Sequence, residues 1–366
     1  MRILFLSNIN NYHTIKWCRF FSRRGHDVHV AGFERPGKDA AAEIAGVHIH
    51  WLENGSKRLG SELQKLGYMM TVGEARRLID GLAPDVVHAH YASSYGLVCS
   101  LACRRPYYLS VWGNDVYAFP RRSPLHRLLL KKALRGCTWL LSTSEAMAQE
   151  TRKYTDKPIA ITPFGVDMEL FNPDKRDRSA GGFVIGTVKG LERKYGIDTL
   201  LRAVAELHGR RPDLGVELRI AGAGTQESEL KGLAESLGMG GYVDWLGFIP
   251  QREAAREWAN FDVGVVASES ESFGVSAVEC QASGTPLVIT DIPGLMEACD
   301  GGGTALVVPR SDYGALSYAI ERLADDPSLR VSMGARGRRY VAATYEVDAC
   351  FSKVEEMYER NMEAQR

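Results

Sequence analysis

Residues 263–279 read VGVVASESESFGVSAVE, an apolar run followed by an acidic, serine-rich turn and the start of a helical pattern. The run Val263–Ala267 has the length and the β-branched content of a buried strand. Ser272 is a candidate N-cap for the helix that follows, and Gly274 allows a ligand to approach the backbone closely. Because the N–H groups and the dipole of a helix start both favour an anion, this stretch predicts a phosphate site.

The same alternation of β-branched runs and amphipathic helical stretches occurs along the whole chain. It predicts an α/β fold with two doubly wound, Rossmann-like domains on mostly parallel sheets, facing each other across a ligand cleft. The predicted strands are Ile3–Ser7, Val28–Ala31, Val86–His90, Tyr107–Val111, Leu140–Ser142, Ile159–Thr162, Phe183–Thr187, Glu217–Ala221, Val243–Leu246, Val263–Ala267, Leu287–Thr290 and Ala305–Val308. The clearest predicted helices are Thr14–Arg24, Asp198–His208, Gln226–Leu237 and Arg252–Asn260.

A polar segment with proline and a pair of glycines separates the two series of strands. It predicts a linker over residues 171–182, between a first domain over 1–170 and a second over 183–346. Residues 1–170 hold 23 Lys and Arg against 15 Asp and Glu, and the rest of the chain holds 22 against 30. Two domains of opposite charge indicate different partners, and no nucleic-acid-binding motif occurs in the basic one.

The composition also narrows the cellular location. No apolar run approaches the ~20 residues that span a bilayer, and the first residues are too quickly polar for a secretory signal. Seven scattered cysteines give no disulfide framework. We therefore expect a cytoplasmic protein.

Two glutamates, Glu271 and Glu279, follow the strand of the 263–279 stretch. Their spacing of eight residues corresponds to about 12 Å in a helix. That distance exceeds the ~5–9.5 Å of a glycosidase carboxylate pair, so we assign them to two ends of one long ligand. For each residue alone, helix capping by Glu271 and a solvated Glu279 stay open. The glycine pattern at 221–224 lacks a dinucleotide fingerprint, which disfavours hydride transfer.

The strand, the glycine turn and the two glutamates together resemble the E-x7-E motif of the retaining family 4 glycosyltransferases, which have the GT-B fold. The resemblance implies that Glu271 contacts the donor sugar and that Glu279 binds the nucleotide ribose. It places the amides of Gly274 and Val275 against the sugar and diphosphate, with Phe273 in the same donor-binding set.

A second match is the stretch 186–196, GTVKGLERKYG. At this entrance to the second domain the family has the motif Gly-Arg-Leu, followed by Lys-Gly. In this sequence Lys189 occupies the position of the family's Arg, and Lys194 occupies the position of the family's Lys. Fixed cations there stabilise the negative charge that gathers on a leaving diphosphate. Because no Asp-x-Asp metal motif occurs, we expect Lys189, Lys194 and Glu271 to act without a metal or other cofactor.

The resemblance extends over nearly the whole chain, through the segments TPFGVD at 162–167, AGAG at 221–224, LGFIP at 246–250 and PGLME at 293–297. It places Gly222 and the backbone of Ile249 at the donor, although Ile249 fits a core-facing run equally well. It also implies that residues 347–366 form a helix that returns to the first domain.

The first domain departs from the family pattern. The loop 8–14 reads NINNYHT in place of a Gly-Gly loop, and Trp112 replaces the histidine of a common His-Gly-x-Asp turn. We expect Trp112 to form an aromatic platform for a sugar, Asp115 to position the acceptor, and His13 and His90 to line the same pocket. Packing of Trp112 in a loop and turn capping by Asp115 stay open as alternatives.

The segment 121–135, RRSPLHRLLLKKALR, is basic and apolar at helical spacing. Such a helix can lie on an anionic leaflet at the inner face of the membrane. It can equally bury Leu125, Leu128, Leu129 and Leu134 inside the first domain, and this core interpretation is slightly favoured.

The sequence therefore predicts a retaining hexosyltransferase of polysaccharide biosynthesis. Its donor is a nucleotide-diphosphate sugar, and its acceptor is a glycan, a lipid-linked molecule or a small molecule. A nucleotide-sugar epimerase of the same fold and a catalytically silent nucleotide-sugar-binding protein stay open as alternatives. The two lysines favour transfer over the first, and Glu271 argues against the second.

Overall fold

The chain forms two compact α/β units, which we describe from a computed structural model of residues 1–53, 64–177 and 181–364. The first unit contains residues 1–164 and 348–366, and the second contains residues 165–347. Residues 165–170, assigned to the first domain from the sequence, are thus part of the second unit. Within the predicted linker 171–182, residues 178–180 lie outside the described part of the chain.

The first unit contains a seven-stranded sheet in the order β3-β2-β1-β4-β5-β6-β7, with parallel pairing throughout. Its strands are β1 Arg2–Leu6, β2 Asp27–Gly32, β3 His48–Trp51, β4 Val86–His90, β5 Tyr108–Val111, β6 Trp139–Ser142 and β7 Ile159–Ile161. The sequence did not predict β3, because its histidines hide the apolar pattern of a half-buried edge strand.

The second unit contains a six-stranded parallel sheet in the order β10-β9-β8-β11-β12-β13. Its strands are β8 Val184–Val188, β9 Glu217–Ala221, β10 Val243–Gly247, β11 Val263–Val266, β12 Leu287–Thr290 and β13 Leu306–Val308. The strand β11 lies between β8 and β12 and is buried along its whole length, as its apolar run predicts. The predicted α/β fold with two Rossmann-like parallel sheets is confirmed.

Helices cover both sheets. They are α1 Tyr12–Arg23, α2 Lys38–Glu43, α3 Gln64–Met69, α4 Val72–Leu82, α5 Leu97–Ala102, α6 Asn114–Tyr117, α7 Pro124–Gly136, α8 Glu145–Arg152, α9 Ile197–Arg210, α10 Glu227–Ser236, α11 Gln251–Asn260, α12 Val275–Ala282, α13 Pro293–Ala298, α14 Tyr313–Asp325, α15 Pro327–Thr344 and α16 Val347–Glu363. Among the described residues, none of these helices combines the length and the apolar character that crossing a bilayer requires.

The last helix, α16, belongs to the first unit. Its apolar residues recur at helical spacing, so that Phe351 packs on Trp17 of α1 with ring centroids 4.8 Å apart. The hydroxyl of Tyr358 is hydrogen-bonded to Nδ1 of His88, and Nε2 of His88 lies 2.8 Å from the Ser110 hydroxyl. His88 therefore links α16 to β4 and β5.

The helix α7 corrects the core interpretation of segment 121–135. It buries Leu134 completely and packs Leu129 partly against the core, but the side chains of Leu125 and Leu128 are 62% and 64% exposed. Two of the four leucines thus point to solvent, because the helix presents only one face to the rest of the unit.

Candidate functional site

The strand order of each sheet reverses once, and such a switch point is where ligands bind in doubly wound folds. In the second unit the reversal lies between β8 and β11. The loop after β8 carries Lys189, and the loop after β11 carries Glu271. Parallel pairing of the two strands brings both loops to the same edge of the sheet.

At this edge the ammonium of Lys189 forms an ion pair with the carboxylate of Glu271. Both side chains are nearly buried, with 9% and 13% exposed. Burial alone would lower the pKa of Lys189, but the negative groups around it, Glu271 first, hold it above its ordinary value. Lys189 is therefore a fixed cation.

An aromatic ring lies between the two lysines of this loop. The Nζ atoms of Lys189 and Lys194 lie 4.5 and 4.7 Å from the ring centroid of Tyr195. Cation–π contacts of this kind hold both ammonium groups near one place. The sequence interpretation did not include Tyr195, although it directly follows Lys194.

The helix α12 begins beside this ion pair. Its N-cap is Gly274, with φ at 91°, and not Ser272 as predicted. A side chain at Gly274 would be strained by this φ, and its Cβ would lie 2.7 Å from Leu295. The first N–H groups of a helix have no partner within it, so Gly274 and Val275 present amides at the start of α12.

The second glutamate, Glu279, lies on α12 and is only 5% exposed. Its charge is one of the negative charges that raise the pKa of Lys189. A solvated Glu279 is thus excluded, and helix capping by Glu271 is excluded by the position of Gly274. A buried carboxylate near the phosphate-binding helix start is suited to accept hydrogen bonds from ligand hydroxyls.

The loop after β9 packs directly on the Lys189 loop. Gly222 has φ at 149°, and a Cβ there would lie 1.9 Å from the carbonyl oxygen of Lys189. The amide of Lys189 donates to the Ala221 carbonyl over 2.8 Å. Glycine is therefore required here for close approach of two backbones, which holds Lys189 in place.

Two other predicted donor residues differ in exposure. The side chain of Phe273 is buried and packs edge-on against Tyr345, so it is not open to a ligand. Ile249 follows β10 and is half-buried rather than fully in the core. Its neighbour Phe248 is 84% exposed, a feature that the apolar sequence pattern concealed.

In the first unit the reversal of strand order lies between β1 and β4. Three of the predicted pocket residues meet at this edge. The ring of Trp112 lies 4.5 Å from that of His90 and 6.1 Å from that of His13. His13 stacks on Phe164 at 3.8 Å. Trp112 is half-buried in this aromatic cluster, an arrangement that agrees both with a ring platform for a sugar and with packing in the loop.

Both histidines of the cluster are neutral. Burial holds the pKa of His13 and that of His90 well below the ordinary value, and the charge of Lys16 adds to the effect at His13. Nδ1 of His13 and Nε2 of His90 are buried without a hydrogen-bond partner among the described residues. Such unpaired ring nitrogens are costly to bury, and a ligand hydroxyl would satisfy them.

For Asp115 the structure favours the turn-capping interpretation over acceptor positioning. Its side chain is fully buried and accepts hydrogen bonds from the amides of Ala92, Trp112 and Gly113 at 2.8–3.3 Å. Burial raises the pKa of Asp115 to about 6, and the backbone hydrogen bonds oppose this shift. The carboxylate caps the turn that precedes α6, which was the alternative interpretation.

Comparison with known proteins identifies the family. Residues 2–144 match the family described as glycosyl transferase 4-like, and residues 170–340 match the glycosyl transferases group 1. A D-inositol 3-phosphate glycosyltransferase of Corynebacterium jeikeium (strain K411) is 31% identical over 307 residues, which cover 76% of this chain and 73% of the relative. This chain belongs to glycosyltransferase family 4.

A second relative carries the same name. The D-inositol 3-phosphate glycosyltransferase of Arthrobacter sp. (strain FB24) is 32% identical over 278 residues, or 68% of this chain. The alignment spans 64% of that relative's own length. These relatives support a glycosyltransferase and do not favour an epimerase or a silent binding protein.

Two solved structures share the fold over 98–100% of the chain. Sucrose-phosphate synthase from Thermosynechococcus elongatus matches with a TM-score of 0.85 at 20% identity, and the match covers 100% of both chains. HepE of Anabaena, in complex with UDP and glucose, matches with a TM-score of 0.80 at 18% identity and covers 98% of this chain and 99% of its own. This glycosyltransferase therefore has the GT-B fold.

Proposed function

We propose that this glycosyltransferase transfers a hexose-type sugar from a nucleotide-diphosphate donor, with retention of configuration and without a metal. The contact between Lys189 and Glu271 beside the start of α12 carries the proposal. A buried ammonium and helix amides supply fixed positive charge where the diphosphate leaves. The carboxylate of Glu271, held by Lys189, is oriented to contact the donor sugar, and Lys194 adds a second cation.

In this proposal the nucleotide part of the donor is bound by Glu279 on α12 and by the loops that follow β9 and β10. The buried carboxylate of Glu279 accepts hydrogen bonds from the ribose, and Gly222 permits close approach of the backbone. The backbone of Ile249 borders the base, next to the exposed ring of Phe248. Since HepE is described as a complex with UDP and glucose, a UDP-linked hexose is the first donor to test.

The donor is expected to reveal itself by stabilising the protein. A panel of UDP-, GDP- and ADP-linked hexoses should contain one that raises the Tm, because a ligand that binds only the folded state stabilises it by mass action. Product analysis with acceptors should then show transfer of the sugar. A converted donor sugar without transfer would instead support an epimerase, and binding without any turnover would support a silent binding protein.

For the acceptor we propose a phosphate-bearing molecule bound by the first unit. The relatives are named for D-inositol 3-phosphate, and the first 170 residues carry an excess of eight positive charges. Trp112 offers a half-exposed ring for a sugar or inositol face. His13, which is only partly buried, offers an unpaired ring nitrogen for its hydroxyls, and the fully buried His90 packs behind Trp112. A glycan or lipid-linked acceptor of polysaccharide biosynthesis has the same recognition chemistry.

We further propose that the enzyme works in the cytoplasm at the inner face of the membrane. Exposed Leu125 and Leu128 lie on α7 among exposed cationic side chains. At the end of this helix, Lys131 and Arg135 border a cavity of about 580 Å³, together with Lys157 and other residues. An apolar tip with a cationic rim suits the surface of an anionic leaflet.

Vesicle binding tests this surface. Co-sedimentation should rise with the anionic lipid fraction and collapse at high salt, since each Lys or Arg near the leaflet contributes about 1 kcal/mol. Gln replacements at Arg122, Arg127, Lys131 and Lys132 should abolish it and leave donor binding unchanged. Val331→Ser removes a side chain that is 74% exposed on α15 and serves as the control. Wild-type protein that ignores anionic vesicles at low salt would contradict membrane association.

A further inference from the structure

Three side chains with metal-binding atoms meet on one face of the first sheet, away from the aromatic cluster. Asp27 and His29 alternate on β2, so both point to the same face. His48 on the edge strand β3 is the register partner of His29. The strand β3 was not foreseen from the sequence, and its pairing with β2 is what brings His48 to this place.

The distances between these groups suit a small metal ion. Oδ1 of Asp27 lies 3.1 Å from Nε2 of His29 and 3.5 Å from Nε2 of His48. All three atoms lie within 4.8 Å of one another. In a tetrahedral zinc site with bonds of about 2.0–2.1 Å, neighbouring ligand atoms are about 3.3 Å apart. His48 is exposed, so its ring can turn to close the remaining distance.

The buried member of the group has an unused ring nitrogen. Nε2 of His29 is buried and makes no hydrogen bond within the described part of the chain, although Oδ1 of Asp27 is near. A buried polar atom left in this state requires an explanation, and an ion between the two ligands would supply one.

The groups that support metal ligands in proteins are also in place. Nδ1 of His29 lies 2.9 Å from Nε2 of His50, which fixes the tautomer and the ring orientation. The second carboxylate oxygen of Asp27 accepts a hydrogen bond from Nε of Arg2 over 2.7 Å. The first residues of β1, β2 and β3 thus build both the ligands and their outer shell.

We propose that Asp27, His29 and His48 form a Zn²⁺ site, with a water in the fourth position. Two imidazoles and one carboxylate are donors that zinc accepts. The site lies at the amino ends of its strands, whereas ligands and catalysis in doubly wound folds belong to the carboxyl ends. Its role is therefore to clip the edge strand β3 to the sheet. The proposal does not depend on the proposed transfer reaction.

Zinc binding to the chelator-treated full chain tests the site directly. Competition with a chromophoric chelator should show one Zn²⁺ per chain, and Zn²⁺ should raise the Tm. His48→Gln and Asp27→Asn change exposed side chains and should weaken binding at least about 100-fold while the fold, checked by circular dichroism, is kept. His50→Gln should cost about 10–100-fold, as outer-shell changes do.

The control is His208→Gln, which removes a histidine of the second unit and should leave zinc affinity unchanged. The visible spectrum of bound Co²⁺ should report four-coordination in the wild type and lose that signature in His48→Gln. Two outcomes overturn the site: wild-type protein that binds Zn²⁺ no more tightly than about 10 μM, or equal affinity in the wild type and in His48→Gln.

Discussion

Lys194→Ala is expected to lower kcat by about 10²–10³-fold, which corresponds to about 2.7–4 kcal/mol in the activation barrier, as for an oxyanion-hole donor. Lys194 lies at the face of Tyr195, on whose ring Lys189 also rests. Its loss removes positive charge that is needed mainly when the diphosphate leaves. KM for the donor should therefore change much less than kcat. Steady-state kinetics with the donor found by thermal shift measure both constants.

Two controls make this result specific. Lys231→Ala removes a partly exposed lysine of α10 that pairs with Glu227, and the rate should be unchanged. Chelator should also leave the wild-type rate intact, because in this proposal lysines perform the task of a divalent ion. The assay is run well below the Tm, so that loss of Zn²⁺ from the proposed β2–β3 site does not unfold the enzyme. Activity abolished by chelator and restored by Mg²⁺ would contradict lysine catalysis.

Local sequence patterns predicted most of the fold, because buried parallel strands are short apolar runs and their helices are amphipathic. The strand β11 and its following turn are recognisable from residues 263–279 alone. The edge strand β3 is not, since half-buried edges tolerate polar residues such as His48. Patterns of apolar residues therefore indicate the centre of a sheet better than its edge.

Contacts between distant residues account for the corrections. The sequence indicated that Lys189 and Glu271 belong to one site, but their ion pair depends on the adjacency of β8 and β11. The N-cap is Gly274 and not Ser272, at a positive φ and beside Leu295, where a larger residue would not fit. Asp115 was ambiguous because an acidic residue after a glycine turn fits capping and ligand binding equally. Only the three amides that converge on it decide between them.

The two glutamates of the donor site should respond differently to neutralisation. Glu279→Gln is expected to weaken binding of free UDP by about 10–100-fold, since hydrogen bonds to charged groups contribute about 1.5–3 kcal/mol. Glu271→Gln should leave UDP affinity within about three-fold of the wild type, because its proposed contact is with the sugar, which free UDP lacks. Titration calorimetry with UDP measures both affinities.

The turnover number kcat should rank the two variants in the opposite order, with the larger loss in Glu271→Gln. Glu271→Gln is expected to lower kcat by at least about 10²-fold, because it removes the sugar contact and the carboxylate that holds Lys189 in place. Without that carboxylate, burial lowers the pKa of Lys189, so the residual activity should fall earlier than that of the wild type as the pH rises. Glu269→Gln neutralises a neighbouring half-buried glutamate that is bonded to Ser311, and both constants should stay near wild type. Equal losses of UDP affinity in Glu271→Gln and Glu279→Gln would refute the division of roles. Free UDP has the ribose but lacks the donor sugar, so only the carboxylate that binds the ribose should affect its affinity.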